Sequence, residues 1–198
     1  MDVYLIRHGQ SENNLLDMSA RLSVAEFNHI LRHDHASPLS KTGEQQVCMI
    51  GEKLRHAHIE RVYSSPYPRA LATAQAIGQR LELTVQVHHE IHEVRPLLLK
   101  QSQRTAALSQ HFWHSYIRML WPWGCEETWL NEYRRAQRIW TWIEAEPTQN
   151  LALVSHGGFI RLLLLITPRH HRWRILQRDF SNGGISLLTN KKLVSAAV

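Results

Sequence analysis

A chain of 198 residues with 43% hydrophobic side chains, seven Trp, nine Gly and seven Pro is sized for one globular domain and argues against long disordered stretches. Its two cysteines, Cys48 and Cys125, make no disulfide framework and no C-x-x-C metal pair, so both are expected as ordinary core or half-buried thiols in a reducing compartment. A formal charge of +6 favours anionic partners, while no RNP aromatic pair, zinc-finger spacing, secretory leader or run of the roughly 20 apolar residues that span a bilayer is present. The expectation is a soluble cytoplasmic protein with no nucleic-acid or membrane partner.

In chain order, the apolar run at 2–7 predicts a strand buried on both faces, with Arg7 and His8 at its carboxyl end. Residues 15–38 fit no regular alternation and read as an excursion above the sheet edge. After Thr42, the spacing of Val47, Ile50 and Leu54 predicts a helix. Residues 61–64 predict a second strand, and from Pro68 the set Ala70, Ala74, Ile77 and Leu81 predicts a second helix. A strand at 83–87 follows, then a second excursion at 94–124, whose Trp-rich stretch is expected to pack as core or lid.

After Glu127, the residues Trp129, Tyr133, Ala136, Trp140 and Ile143 step by four, three, four and three, which predicts a helix with those side chains inward. Glu127 and Arg135 on that stretch read first as a structural ion pair and second as groups reaching the site edge, and strands are predicted at 151–155 and 184–188. Between those strands, the basic run Arg169–Arg178 reads as a solvated helix face. Strands alternating with helices predict a three-layer α/β/α sandwich on a mostly parallel mixed sheet. The whole chain, 1–198, is expected to be one domain with a small cap built from 15–38 and 94–124.

Four stretches put reactive groups at strand ends or helix starts: RHGQSENN at 7–14, SSPYPRALATA at 64–74, IHEV at 91–94 and VSHGG at 154–158. Open α/β sheets bind ligands in the crevice outside strand carboxyl ends. Glycine after His8 and His156 lets the backbone approach a ligand and turn away from the sheet. Arg7 and Arg69 can clamp a tetrahedral dianion, the two histidines can supply a nucleophile and a further donor, and a carboxyl group can protonate a leaving oxygen. That inventory suits phosphoryl transfer, whose transition state spreads charge over three equatorial oxygens that cations stabilise. HHEIHE at 88–93 raises a metal alternative but lacks H-E-x-x-H spacing, so no metal ligand is assigned.

RHGQSENN, SPLSKTGEQQ, SSPYPRALATAQAI, IHEV, GCEETWLNEYRRA and VSHGGFIR occur in order across nearly the whole chain and resemble the histidine phosphatase superfamily, in its phosphoglycerate-mutase-like branch. The resemblance implies that His8 is phosphorylated and that Arg7, Arg69 and His156 hold the phosphate, with Gly157 beside them. It further implies that Asn14 orients the phosphate, that Ser11 shares its loop, and that Glu93 is the general acid, with Glu90 as the competing carboxylate. Arg21, His33, His35 and Arg95 are candidate contacts to the rest of the substrate. Two departures stand out: Gln10 replaces a glutamate common in the family, which removes a charge beside the pocket, and Val94-Arg95-Pro96 replaces a glycine-containing segment.

The larger mutases carry extra segments absent from this chain, which points to a hydrolase rather than a mutase, and the intact His8, Arg7, Arg69 and His156 count against a non-catalytic phosphate-sensing or protein-binding module. The implied activity is metal-independent hydrolysis of a phosphorylated small molecule without a cofactor. The sequence names neither the substrate nor the oligomeric state, and a homodimer stays open.

Overall fold

The computed structural model describes residues 1–120, 128–167 and 172–191. A six-stranded sheet lies at its centre, with the order β4-β3-β6-β1-β8-β7. These strands are β1 (Asp2–Arg7), β3 (Arg61–Ser64), β4 (Val85–Val87), β6 (Asn150–Ser155), β7 (Arg174–Gln177) and β8 (Ile185–Thr189). The strands β4, β3, β6 and β1 run parallel, while β8 runs antiparallel to β1 and β7 antiparallel to β8.

Strand β1 is apolar at consecutive positions because both of its faces are covered. Val3 and Leu5 pack on one side with α5 (Trp129–Ala145) and α6 (Gly157–Ile166), in a core that includes Ile139, Trp140 and Phe159. Ile6 packs on the other side with α2 (Lys41–Leu54) and α3 (Pro68–Leu81), through Ile50, Leu54, Ala70, Ala74 and Ile77. This is the expected α/β/α layering. Along α5, Ala136, Trp140 and Ile143 are fully buried as the spacing predicts, whereas Trp129 and Tyr133 only border the core. Truncating Trp140 to Ala would cost about 3–5 kcal/mol, the usual figure for an aromatic in a close-packed interior.

Local chemistry sets the helix limits. Ser40 caps α2 by accepting the Gly43 N–H at 3.1 Å, and Pro68 opens α3, where its missing N–H is harmless. Helix α3 ends at Glu82, which is left-handed at φ 57°.

The two excursions meet above the sheet. β2 (Arg21–Ser23) pairs antiparallel with β5 (Thr105–Ala107), and each strand leads into a helix, α1 (Val24–His33) or α4 (Leu108–Arg118). Ser23 and Glu26 cap α1 reciprocally. Phe27 is fully buried against the rings of His111 and Phe112, at 5.1 and 5.2 Å, and the Asn28 amide bonds both backbone groups of Leu99. Neither short strand has enough alternation to be read from sequence.

Several expectations are corrected. Within the basic run, Arg174–Gln177 is an edge strand rather than a helix face, with Arg174 exposed and Ile175 turned partly inward. Charge on an exposed edge discourages pairing with other chains. Cys48 is exposed, one step around α2 from the buried Val47, and is not a core thiol. Arg135 pairs with Glu132, three residues away; its expected partner Glu127 lies outside the described residues, as do Cys125, residues 121–124 of the cap and Arg169. No helix among the described residues is long and apolar enough to cross a membrane.

Candidate active site

Strand register brings the two histidines together. Arg7 of β1 lies opposite Ser155 of the parallel strand β6, so the next residue on each strand is a histidine at the same sheet edge. The rings of His8 and His156 are 5.0 Å apart, edge to face. Ser64 of β3 pairs with Val154, which places Ser65 beside His156.

The His8 ring is nearly wholly buried, and its Nδ1 donates to the Gly9 carbonyl at 2.6 Å. That bond leaves the lone pair on Nε2, which accepts the Arg69 Nε–H at 3.2 Å. Burial and the nearby Arg69 charge push the His8 pKa down to about 3, so the imidazole is neutral around pH 7. His156 Nε2 lies 2.7 Å from Ser65 Oγ, which also accepts the Tyr67 N–H. With the Ser65 hydroxyl as donor to Nε2, the neutral imidazole would carry its proton on Nδ1, which has no protein partner. Burial holds the His156 pKa well below its ordinary value.

Three buried polar atoms here have no hydrogen-bond partner: Arg7 Nε, Ser11 Oγ and His156 Nδ1. Unpaired buried donors are costly, and a cluster of them around one ring suits an anion with several acceptor oxygens. Arg69 is held for the same surface. Its Nη1 and Nη2 donate to the Asp34 carbonyl and carboxylate at 2.6 and 2.9 Å, and it stacks 5.1 Å over the Tyr67 ring.

Glu93 sits on the amino terminus of α6. Its carboxylate accepts the N–H groups of Val94, Gly158 and Phe159 at 2.9, 3.3 and 3.0 Å. The last two are orphan donors of the helix, which the N-cap His156 leaves unserved. Burial raises the Glu93 pKa against the opposing effect of those donors. The turn that carries Glu93 is braced at three successive carbonyls. Arg135 Nη1 donates to Glu90 O and His92 O at 2.6 and 2.9 Å, and Ser155 Oγ donates to Ile91 O at 2.7 Å. The competing Glu90 points outward to Arg138, at 2.6 Å, and only Glu93 lines the cavity.

Glycines permit the close approaches. A Cβ on Gly158 would meet Glu93 Oε1 at 2.6 Å, and one on Gly43 would meet the Gln10 carbonyl at 2.0 Å. Gln10 itself faces α2, accepting from the Ser40 hydroxyl at 2.8 Å, so the family's missing charge is not on the cavity wall. Asn14 lines the cavity and accepts the Ser11 N–H at 3.1 Å. Gly157 packs against the Arg7 guanidinium.

Above this floor the cap encloses a cavity of about 1040 Å³. Of the four proposed substrate contacts, His35 and Arg95 line it. Arg21 instead bonds Thr105 across the β2–β5 ribbon, and His33 bonds His29 on its own helix. Among the described residues, no three His, Cys, Asp or Glu side chains are grouped to hold a metal. Asp34, Ser65 and Tyr67 were not singled out as site residues from the sequence, and Arg135 was read only as an ion-pair partner or a group at the site edge. Ser65 and Tyr67 lie inside the second motif, the one signal that could have found them.

Comparison with known proteins agrees with this architecture. A probable phosphoglycerate mutase of Salmonella choleraesuis is 29% identical over 103 residues, which span 52% of this chain and 42% of the relative's length. Among solved structures, a phosphoglycerate mutase from Bacillus anthracis superposes with a TM-score of 0.65 at 17% identity, covering 96% of this chain and 88% of that one. A phosphoserine phosphatase mutant from Entamoeba histolytica, solved with phosphoserine, gives 0.61 at 19% identity, covering 94% and 89%. These likenesses are to the fold. The family model of branch 1 matches residues 3–192, nearly the whole length over which the sheet and its two histidines are built, and the chain belongs to the histidine phosphatase superfamily.

Proposed function

We propose that this protein hydrolyses a phosphomonoester through a phosphohistidine on His8, without a metal ion. The observation that carries this reading is the neutral His8 ring, whose Nδ1 proton is held by the Gly9 carbonyl so that the Nε2 lone pair faces Arg69, together with the unpartnered buried atoms Arg7 Nε, Ser11 Oγ and His156 Nδ1. His8 Nε2 attacks phosphorus, the bond to the leaving oxygen breaks, and protonated Glu93 supplies that oxygen's proton. Glu93, now a carboxylate, then takes a proton from water as the water oxygen attacks phosphorus and the N–P bond breaks. Inorganic phosphate leaves and His8 returns to its neutral form. Arg7, Arg69, His156 and Ser11 hold the phosphoryl oxygens, and Asn14 fixes the Ser11 loop.

The hydrolase reading asks only that water reach the phosphohistidine, and the cavity over His8 has room for it. Turnover of an aryl phosphate in EDTA is expected for the wild type and lost in His8→Ala. Rapid acid-free quenching should trap a phosphoprotein that acid cleaves and alkali does not. Activity retained in His8→Ala would overturn the reading. So would label passing between two hydroxyls of an organic phosphate instead of to water, which would mark a mutase.

A further inference from the structure

The floor of the cavity accounts for a phosphate, but most of the cavity lies above it. Ligand pockets of roughly 300–1,000 Å³ hold drug-sized molecules, and this one is at the top of that range at about 1040 Å³. A three-carbon phosphate would leave most of it to water. The upper walls are mostly apolar: Leu16, Ile30, Leu31, Leu97, Leu98 and Phe112 all face it, from the 12–16 turn, α1, the 94–99 segment and α4, with Arg32, His35 and Arg118 among them. Leu98 is 43% exposed and Met18, beside Leu16, is 47% exposed, an arrangement that costs free energy unless something covers it.

Apart from Arg7 on the floor and the exposed Arg32 and His35, the charged groups that line the cavity below its apolar wall are engaged with protein partners. Arg69 forks onto Asp34, whose carboxylate would repel an acid group placed close to the phosphate. Arg95 donates to the Tyr67 hydroxyl at 2.6 Å and lies along that ring, while Arg118 donates to Leu98 O at 2.8 Å.

We infer that the alcohol part of the substrate is a bulky, largely apolar group seated between α1, α4 and the 94–99 segment. This rests on the phosphomonoester reading of the floor. Burial energy of the remote group is then available to position phosphorus against His8.

A series of primary alkyl phosphates from ethyl to octyl, kept below micelle concentrations, isolates this effect because the leaving oxygen barely changes. Apolar burial predicts that kcat/KM rises about threefold to fourfold per added methylene over the first several carbons. The slope should flatten in Leu31→Asn and Leu98→Asn. The same series is titrated calorimetrically against His8→Ala, so that affinity is read without turnover. Affinity that climbs with chain length supports the inference, even if wild type hydrolyses nothing and the phosphatase reading falls. A flat or falling dependence in both measurements, with phosphoserine or 3-phosphoglycerate preferred, overturns it and leaves the phosphatase reading intact.

Discussion

Replacing Gly158 by alanine tests the placement of the acid with a single carbon atom. The new Cβ would lie 2.6 Å from Glu93 Oε1 and 3.3 Å from Cδ, so the carboxyl group must retreat by on the order of 1 Å to regain van der Waals separation. Retreat lengthens the bonds from the Gly158 and Phe159 N–H groups, now 3.3 and 3.0 Å, and moves the proton donor from the leaving oxygen. Misplacement on that scale costs about 100-fold.

The fold should tolerate the change, since the atom displaced is the end of a side chain and alanine is a better helix former than glycine. The assay compares kcat/KM for an alkyl phosphate, which needs its leaving oxygen protonated, with that for para-nitrophenyl phosphate, which does not. The expected result is a loss of about 100-fold on the first, less than about tenfold on the second, and an unchanged melting temperature. Alkyl phosphate turnover within threefold of wild type, in a folded variant, would refute Glu93 as the proton donor.

Three further outcomes follow from the geometry. The buried His8 has a folded pKa of about 3 against about 6.5 unfolded, so the unfolded chain binds the extra proton and stability falls as pH drops below 6.5. This single group should cost about 2 kcal/mol at pH 5 relative to pH 7.5, and His92 and His156 act in the same direction. Urea melts should show that loss shrinking in His8→Gln. Asp34→Asn removes a negative charge beside Arg69, so inorganic phosphate should inhibit about threefold to tenfold more tightly in steady-state assays. Arg135→Lys keeps a cation for Glu132 but cannot bridge the Glu90 and His92 carbonyls, so alkyl phosphate kcat should fall about tenfold while aryl phosphate turnover is largely kept.

The parallel core was legible because its signals are local. Continuous apolar runs at β1 and β6, helical spacing in α2, α3 and α5, and the start signal at Pro68 each lie within a few residues of the structure they specify. The site stretches were legible for a related reason, since reactive residues at strand ends fall at one edge of any parallel sheet. What the sequence could not determine depends on partners distant along the chain.

The β2–β5 ribbon joins residues more than 80 positions apart with three-residue strands, too short for periodicity to register. The edge strand β7 was hidden because its charges read equally well as a helix face. Two carboxylates three residues apart look alike in sequence, and only tertiary packing sends Glu90 outward to Arg138 and seats Glu93 on the amino terminus of α6. Ser65 on His156 and Asp34 on Arg69 are likewise contacts across 91 and 35 residues. Sequence determined which groups stand at the sheet edge; chain packing alone decided which neighbour sets the tautomer, charge and aim of each one.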